Sequence, residues 1–261
     1  MKKTTLSTIT MLITMLFIVQ GSFAQPTCHS SFQFVKSDTV RVAIAAAVGH
    51  NLSELYDSAS GFTWEAWINL ADTNANATKN VIIGVEDRVP YEDIWLAMGQ
   101  YAGTGAQLDF HVYDNDSISA ANAAITGSYH LSPNKWYYVA AVCDYIGGTI
   151  TLYLNGSNIG SGPIPFSASQ RLTRNITTAI GNFNSQNIFG IDAQIDEVKF
   201  WKGVRSTTQI LADSAGCQTY PQPGLVAYFR ADERTGTHTS SFVNANFSGT
   251  NLAGWGGARH L

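Results

Sequence analysis

The chain has 261 residues, of which 45% are hydrophobic and only 13% charged, with a formal net charge of −4. A mildly acidic chain lacks the basic field that nucleic acids and anionic membranes select, so those partners are excluded. The length suits one large β domain, and abundant Gly, Asn, Ser and Thr favour turns and polar strand faces over solvated helices.

The N-terminus reads as an export signal: Lys2 and Lys3, an apolar stretch from Met11 to Val19, then Ser22-Phe23-Ala24 before Gln25. Residues 1–24 are therefore expected to be removed, leaving a secreted product of residues 25–261 with a formal charge of −6. The apolar run is too short to span a bilayer, and no later stretch approaches the roughly 20 apolar residues a membrane helix needs. Cys28, Cys143 and Cys217 follow the signal, and an oxidising compartment predicts one disulfide among them. Cys28 with Cys217 is favoured because both flank the strand-rich middle, whereas Cys143 sits in an apolar strand that tolerates a buried thiol. Cys143 with Cys217 is the competing pairing.

Along the mature chain, short apolar or alternating runs are broken by Gly, Asn, Asp and Pro. Strands are predicted at Phe32 to Val42, Phe62 to Leu70, Asn80 to Gly84, Ile94 to Gly99, Gln107 to Tyr113, Trp136 to Asp144, Thr149 to Leu154, Thr177 to Gly181, Ala193 to Trp201 and Leu225 to Ala231. That number needs two packed sheets. Phe62, Trp64, Ala66, Ile68 and Leu70 alternate onto one face, with Trp67 on the other. Leu108-Asp109-Phe110-His111-Val112 separates just as cleanly into apolar and polar faces. Ile150 to Leu154 ends in Asn155-Gly156, which suits a tight hairpin turn. One short amphipathic helix is predicted from Ser206 to Ala215, just before Gly216.

Taken in order, Phe32-Gln33-Phe34 with Asp38-Thr39-Val40, Phe62 to Ile68, Trp136-Tyr137-Tyr138-Val139-Ala140, Ile150 to Gly156 and Ile195-Asp196-Glu197-Val198-Lys199-Phe200-Trp201 form one set. The set resembles the laminin-G-like jelly-roll domain of the concanavalin A-like lectin/glucanase superfamily, in its bacterial secreted branch. The resemblance covers about residues 28–215 and implies an all-β, antiparallel two-sheet jelly-roll sandwich. Gly224 to Arg230 and Phe247 to Trp255 resemble the segment that closes such domains, so residues 216–261 are expected to finish the same sandwich. About 45 residues are too few for a second core.

The superfamily also holds glycosidases, which need two carboxylates roughly 5–9.5 Å apart on one face. The nearest segment here is Asp192-Ala193-Gln194-Ile195-Asp196-Glu197. Asp192 and Asp196 stand about 13 Å apart along a strand, and Asp196 and Glu197 point to opposite faces. With no hydrolase or phosphate-loop motif either, the chain is expected to bind and not to catalyse.

Three groups of residues are candidates for that binding. The resemblance implies a structural Ca²⁺ near the N-terminal strand held by Asp38 and Asp196; the alternative makes Asp38 a turn residue and Asp196 an acceptor for a neighbouring loop. The loop from Glu86 to Trp95 gathers acids and aromatics, so Tyr91, Asp93 and Trp95 form a candidate sugar site, with Trp95 as a core residue the competing reading. Asp114 and Asp116 suit Ca²⁺ or a glycan hydroxyl, and equally an ordinary turn. Trp64, Trp67, Trp136 and Trp201 are assigned to packing, and the scattered histidines to no metal. The expectation is an extracellular or cell-surface recognition module for a glycan or a surface protein, with a purely structural or adhesive domain as the alternative.

Overall fold

The computed structural model describes residues 31–34, 42–46, 52–56, 59–71, 80–86, 94–99, 106–114, 122–167, 177–182, 190–215, 222–231, 238–240, 247–251 and 259–260. These form two antiparallel sheets packed face to face. The first contains β1 (Phe32–Phe34), β3 (Gly61–Leu70), β8 (Trp136–Asp144), β9 (Thr149–Leu154), β10 (Ser157–Pro163), β12 (Ala193–Lys202), β13 (Leu225–Phe229) and β16 (Arg259–His260). Its order is β10-β9-β8-β3-β12-β1-β16, with β13 also on β12. The second contains β2 (Val42–Ala46), β4 (Asn80–Glu86), β5 (Ile94–Gly99), β6 (Gln107–Tyr113), β7 (Asn122–His130), β11 (Thr177–Ile180), β14 (His238–Ser240) and β15 (Phe247–Asn251). It runs β14-β15-β2-β11-β4-β5-β6-β7. Two short helices, α1 (Ser53–Tyr56) and α2 (Thr207–Ser214), complete the described elements.

The alternation expected from the sequence builds the core. Phe62, Trp64, Ala66, Ile68 and Leu70 of β3 face Leu108, Phe110 and Val112 of β6 and Ile94, Leu96 and Met98 of β5. Each large side chain so buried contributes about 1.5–3 kcal/mol. Phe110 joins the layers, its ring 6.1 Å from Trp64 and 6.3 Å from Phe62. The edges meet where β10 crosses β7: a Cβ at Gly127 would fall 2.5 Å from Ile159 and one at Gly162 2.6 Å from Ile125, so glycine on each strand receives isoleucine from the other. At Asn155 and Gly156 the backbone takes φ of 50° and 78°, as the predicted hairpin requires. The Asn155 carbonyl oxygen Oδ1 also accepts the Tyr138 amide at 2.9 Å.

Several expectations need correction. The run Phe32 to Val42 is not one strand: Phe32–Phe34 pairs with β12 in the first sheet, while Val42 begins β2, which pairs with β11 in the second. In the sequence the apolar alternation resumes in phase at Val40 and Val42, so the pattern did not reveal the change of sheet, which lies between Phe34 and Val42. Strands β7 and β10 escaped prediction because both are edges with largely exposed residues and little apolar alternation. The predicted helix matches α2, with Ser206 and Ala215 as its caps. Three C-terminal strands attach to three different partners: β13 to β12, β15 to β2 and β16 to β1. Cys143 is buried on β8; the favoured disulfide, Cys28 with Cys217, and the signal segment lie outside the described residues. Among those described, no helix is long and apolar enough to cross a membrane.

Candidate functional site

The two outer faces of the sandwich differ. On the first sheet, residues alternate outward to give Glu65, Trp67, Tyr138, Lys199 and Trp201, yet all are buried. The α2 segment lies over them, with Ile210 packed among Trp67, Tyr138, Ala140 and Val142. Helix α2 starts with a capping box, since the Ser206 hydroxyl accepts the Gln209 amide and Gln209 Oε1 accepts the Ser206 amide. A β-bulge between Asp196 and Lys199, with Glu197 at φ 54°, keeps Ala193, Ile195, Val198 and Phe200 facing the core on both sides of it. Beneath the helix the polar groups pair with one another: Tyr138 and Trp201 donate to Glu65 Oε2 at 2.8 and 3.0 Å, and Tyr228 donates to Glu197. Lys199 donates to the Tyr138 hydroxyl at 3.3 Å and to the Asp213 carbonyl at 3.2 Å.

The second sheet turns out a different set. On β6, Gln107, Asp109, His111 and Tyr113 alternate away from core residues Leu108, Phe110 and Val112. Trp95 of β5 is in register with His111, and the two rings stack with centroids 4.3 Å apart at 16°. Tyr113 leans on the same indole at 5.3 Å. Asp109 Oδ1 accepts a 2.6 Å bond from the Thr126 hydroxyl of β7, and Gln107 donates to the Gly127 carbonyl at 2.9 Å. The Asp109 carboxylate fills the space above Gly99, where a Cβ would fall 1.3 Å from Oδ2.

Exposure separates this face into a base and a surface. Trp95, Asp109 and His111 are 2%, 3% and 8% exposed. Above them Gln107, Tyr113 and Asn122 are half-buried, and Ala124 and Thr126 are exposed. The stack fixes the Tyr113 ring, and the carboxylate fixes the Thr126 hydroxyl. The result is a strip along β6 and β7 with an aromatic surface at one end and amide and hydroxyl groups along it. From Gln107 to Tyr113 it measures about 20 Å at the usual rise of a strand.

Of the sequence-predicted site residues, three are described. Trp95 lies at the base of this strip, away from the main core. Asp114, directly after Tyr113, is fully buried. Asp196 stands in the other sheet, where its Oδ1 accepts the Glu197 amide at 2.7 Å within the bulge. Tyr91, Asp93, Asp116 and Asp38 lie outside the described residues. Among the residues described, no three His, Cys, Asp or Glu side chains are grouped to hold a metal ion. Sequence reasoning passed over Gln107, Asp109, His111, Tyr113 and Thr126 as a group. The signal was the polar half of the β6 alternation, which was used only to define the strand.

A family model described as the Concanavalin A-like lectin/glucanases superfamily matches residues 43–211. Among solved structures, a candidate carbohydrate-binding protein of Bacteroides ovatus superposes with a TM-score of 0.63 at 18% identity, over 91% of this chain and 60% of that one. The receptor-binding domain of a botulinum neurotoxin of mosaic serotype C/D superposes with a TM-score of 0.51 at 18% identity, over 71% of this chain and 41% of that one. The chain thus spans less than two thirds of either structure's length. No curated protein matches the sequence.

Proposed function

Because this chain belongs to the laminin-G-like family of the concanavalin A-like lectin/glucanase superfamily, we propose that it is an exported, non-catalytic recognition module that binds a carbohydrate chain along β6 and β7. The observation that carries this reading is the strip itself: Tyr113 set by the Trp95–His111 stack, with Thr126 set by Asp109. Sugars are bound by an aromatic surface under the ring's C–H face together with a few fixed polar groups, and the strip supplies both. Its length of about 20 Å suits several consecutive sugars in an extended chain. The toxin receptor-binding domain and the candidate carbohydrate-binding protein that share the fold are in keeping with a binding role.

A binding reading is preferred to a catalytic one because Asp109 and Asp196 are buried in different sheets, each accepting a bond from its own neighbour, Thr126 and the Glu197 amide. An acid–nucleophile pair must instead face the scissile bond from both sides. The test is calorimetric titration of the full chain with oligosaccharides of increasing length from several neutral polysaccharides. Affinity for one polymer should rise with chain length and level off at a few sugars, and Tyr113→Ala should weaken it about tenfold. Binding of a monosaccharide as tightly as of the longest chain, or binding untouched by Tyr113→Ala, would refute the proposed strip.

A further inference from the structure

Glu65 is fully buried on the outer face of the first sheet, and its two oxygens are treated unequally. Oε2 receives Tyr138 and Trp201, while Oε1 has no hydrogen-bond partner. A carboxylate needs several donors and an escape from low dielectric; a neutral carboxyl needs far less. The cover over this site is slight. Helix α2 has eight residues, below the length at which a helix persists alone in water, and Ile210 is the apolar residue it buries. Leu211, half-exposed, rests on Gly156 of the β9–β10 turn, and the remaining hold is polar: Lys199 to the Asp213 carbonyl, and Arg205 to the Asp213 carboxylate while stacked 3.8 Å above the Trp201 ring. Segments held by so few apolar contacts open locally at low free-energy cost.

We propose that α2 is a proton-controlled latch, closed over the first sheet while Glu65 carries a proton and open more often once that proton is lost. An ionised Glu65 beneath the closed helix would sit in low dielectric, near the Asp213 carboxylate, with one oxygen bare. Opening α2 rehydrates it. The groups that act on Glu65 are Tyr138 from β8, Lys199 and Trp201 from β12, Arg205 from the approach to α2, and Asp213 from the helix itself; Glu197 of β12 and Tyr228 of β13 complete the cluster by pairing with Lys199 and with each other. Burial pushes its carboxyl up from 4.5 to about 7; Lys199, Tyr138 and Arg205 work against the rise, and Asp213 adds to it.

The sign follows from linkage. The closed form holds the proton more tightly than a hydrated carboxyl does, so this contribution to closure is complete below pH 4.5. It declines through the interval and is gone above about 7. The open population therefore grows by up to about tenfold per pH unit inside that window. Hydrogen exchange of the α2 amides in the full chain, corrected for the intrinsic rate at each pH, tests this. Protection should fall at least tenfold from pH 5 to pH 7, and Glu65→Gln should flatten that dependence. Equal protection at both pH values, or an undiminished dependence in Glu65→Gln, would overturn the proposal. Should that variant fail to fold, carboxyl ¹³C NMR of the unaltered protein decides: titration of Glu65 near 4.5 overturns the latch, and titration near 7 in step with loss of α2 protection supports it.

Discussion

Tyr137 and Tyr138 are neighbours on β8 with the same side chain and nearly the same burial, yet their hydroxyls do different work. The Tyr138 hydroxyl donates to Glu65 Oε2 at 2.8 Å and accepts from Lys199 at 3.3 Å, all under α2. Replacing Tyr138 by Phe keeps the ring contact with Trp67 at 5.3 Å but removes both bonds. A bond from a charged group such as the Lys199 ammonium contributes about 1.5–3 kcal/mol, the bond to Glu65 adds about 1 kcal/mol, and so a loss of about 3 kcal/mol is expected. The Tyr137 hydroxyl accepts a single 3.1 Å bond from the part-buried Ser132 amide, which water can replace. Tyr137→Phe should therefore cost about 1 kcal/mol. Urea unfolding reads the difference: with an m-value of about 3 kcal/mol/M, Tyr138→Phe moves the midpoint down by about 1 M and Tyr137→Phe by about a third of that. Equal shifts, or a larger one for Tyr137→Phe, would refute the account of the buried cluster.

Gly61 begins β3 at φ 118°, and a Cβ there would fall 1.9 Å from the Cys143 carbonyl, so Gly61→Ala should cost more than about 3 kcal/mol or prevent soluble expression, as judged by thermal unfolding. In the β9–β10 turn, Asn155→Gly keeps the turn but loses the bond to the Tyr138 amide, about 1 kcal/mol, whereas Asn155→Ala also strains φ 50° and should cost about twice that in the same urea series. Ser206→Ala removes the capping box of α2 and should lower stability by about 1 kcal/mol, with the loss of amide protection confined to that helix. Gly99→Ala drives the Asp109 carboxylate away from Thr126, and calorimetry should show about tenfold weaker binding of the same oligosaccharide that Tyr113→Ala weakens.

Much of the sandwich was legible because its central strands are half-buried and alternate strictly. The limits of β5, β6, β8 and β9 fall where the sequence placed them. What sequence could not supply was the second partner of each outer face. Nothing in Phe62 to Leu70 says that outward-facing Glu65 and Trp67 are buried, since their cover, α2, lies about 140 residues later. Equally, Gln107, Asp109, His111 and Tyr113 read as the solvated half of a strand until β5 brings Trp95 against His111 and β7 brings Thr126 against Asp109. Site prediction favoured acid-rich loops because polar clusters stand out in one dimension. A strip assembled across three strands does not.

The central claim is that β6 and β7 form a carbohydrate-binding strip, and a glycan array answers it most directly. The full chain and Tyr113→Ala are applied in parallel, each once with Ca²⁺ and once with EDTA. The account predicts that the full chain retains extended oligosaccharides and that Tyr113→Ala loses them, with the EDTA arm reporting whether a Ca²⁺ site contributes. Silence of the unaltered chain in both conditions, or an identical glycan pattern for the two proteins, would contradict it.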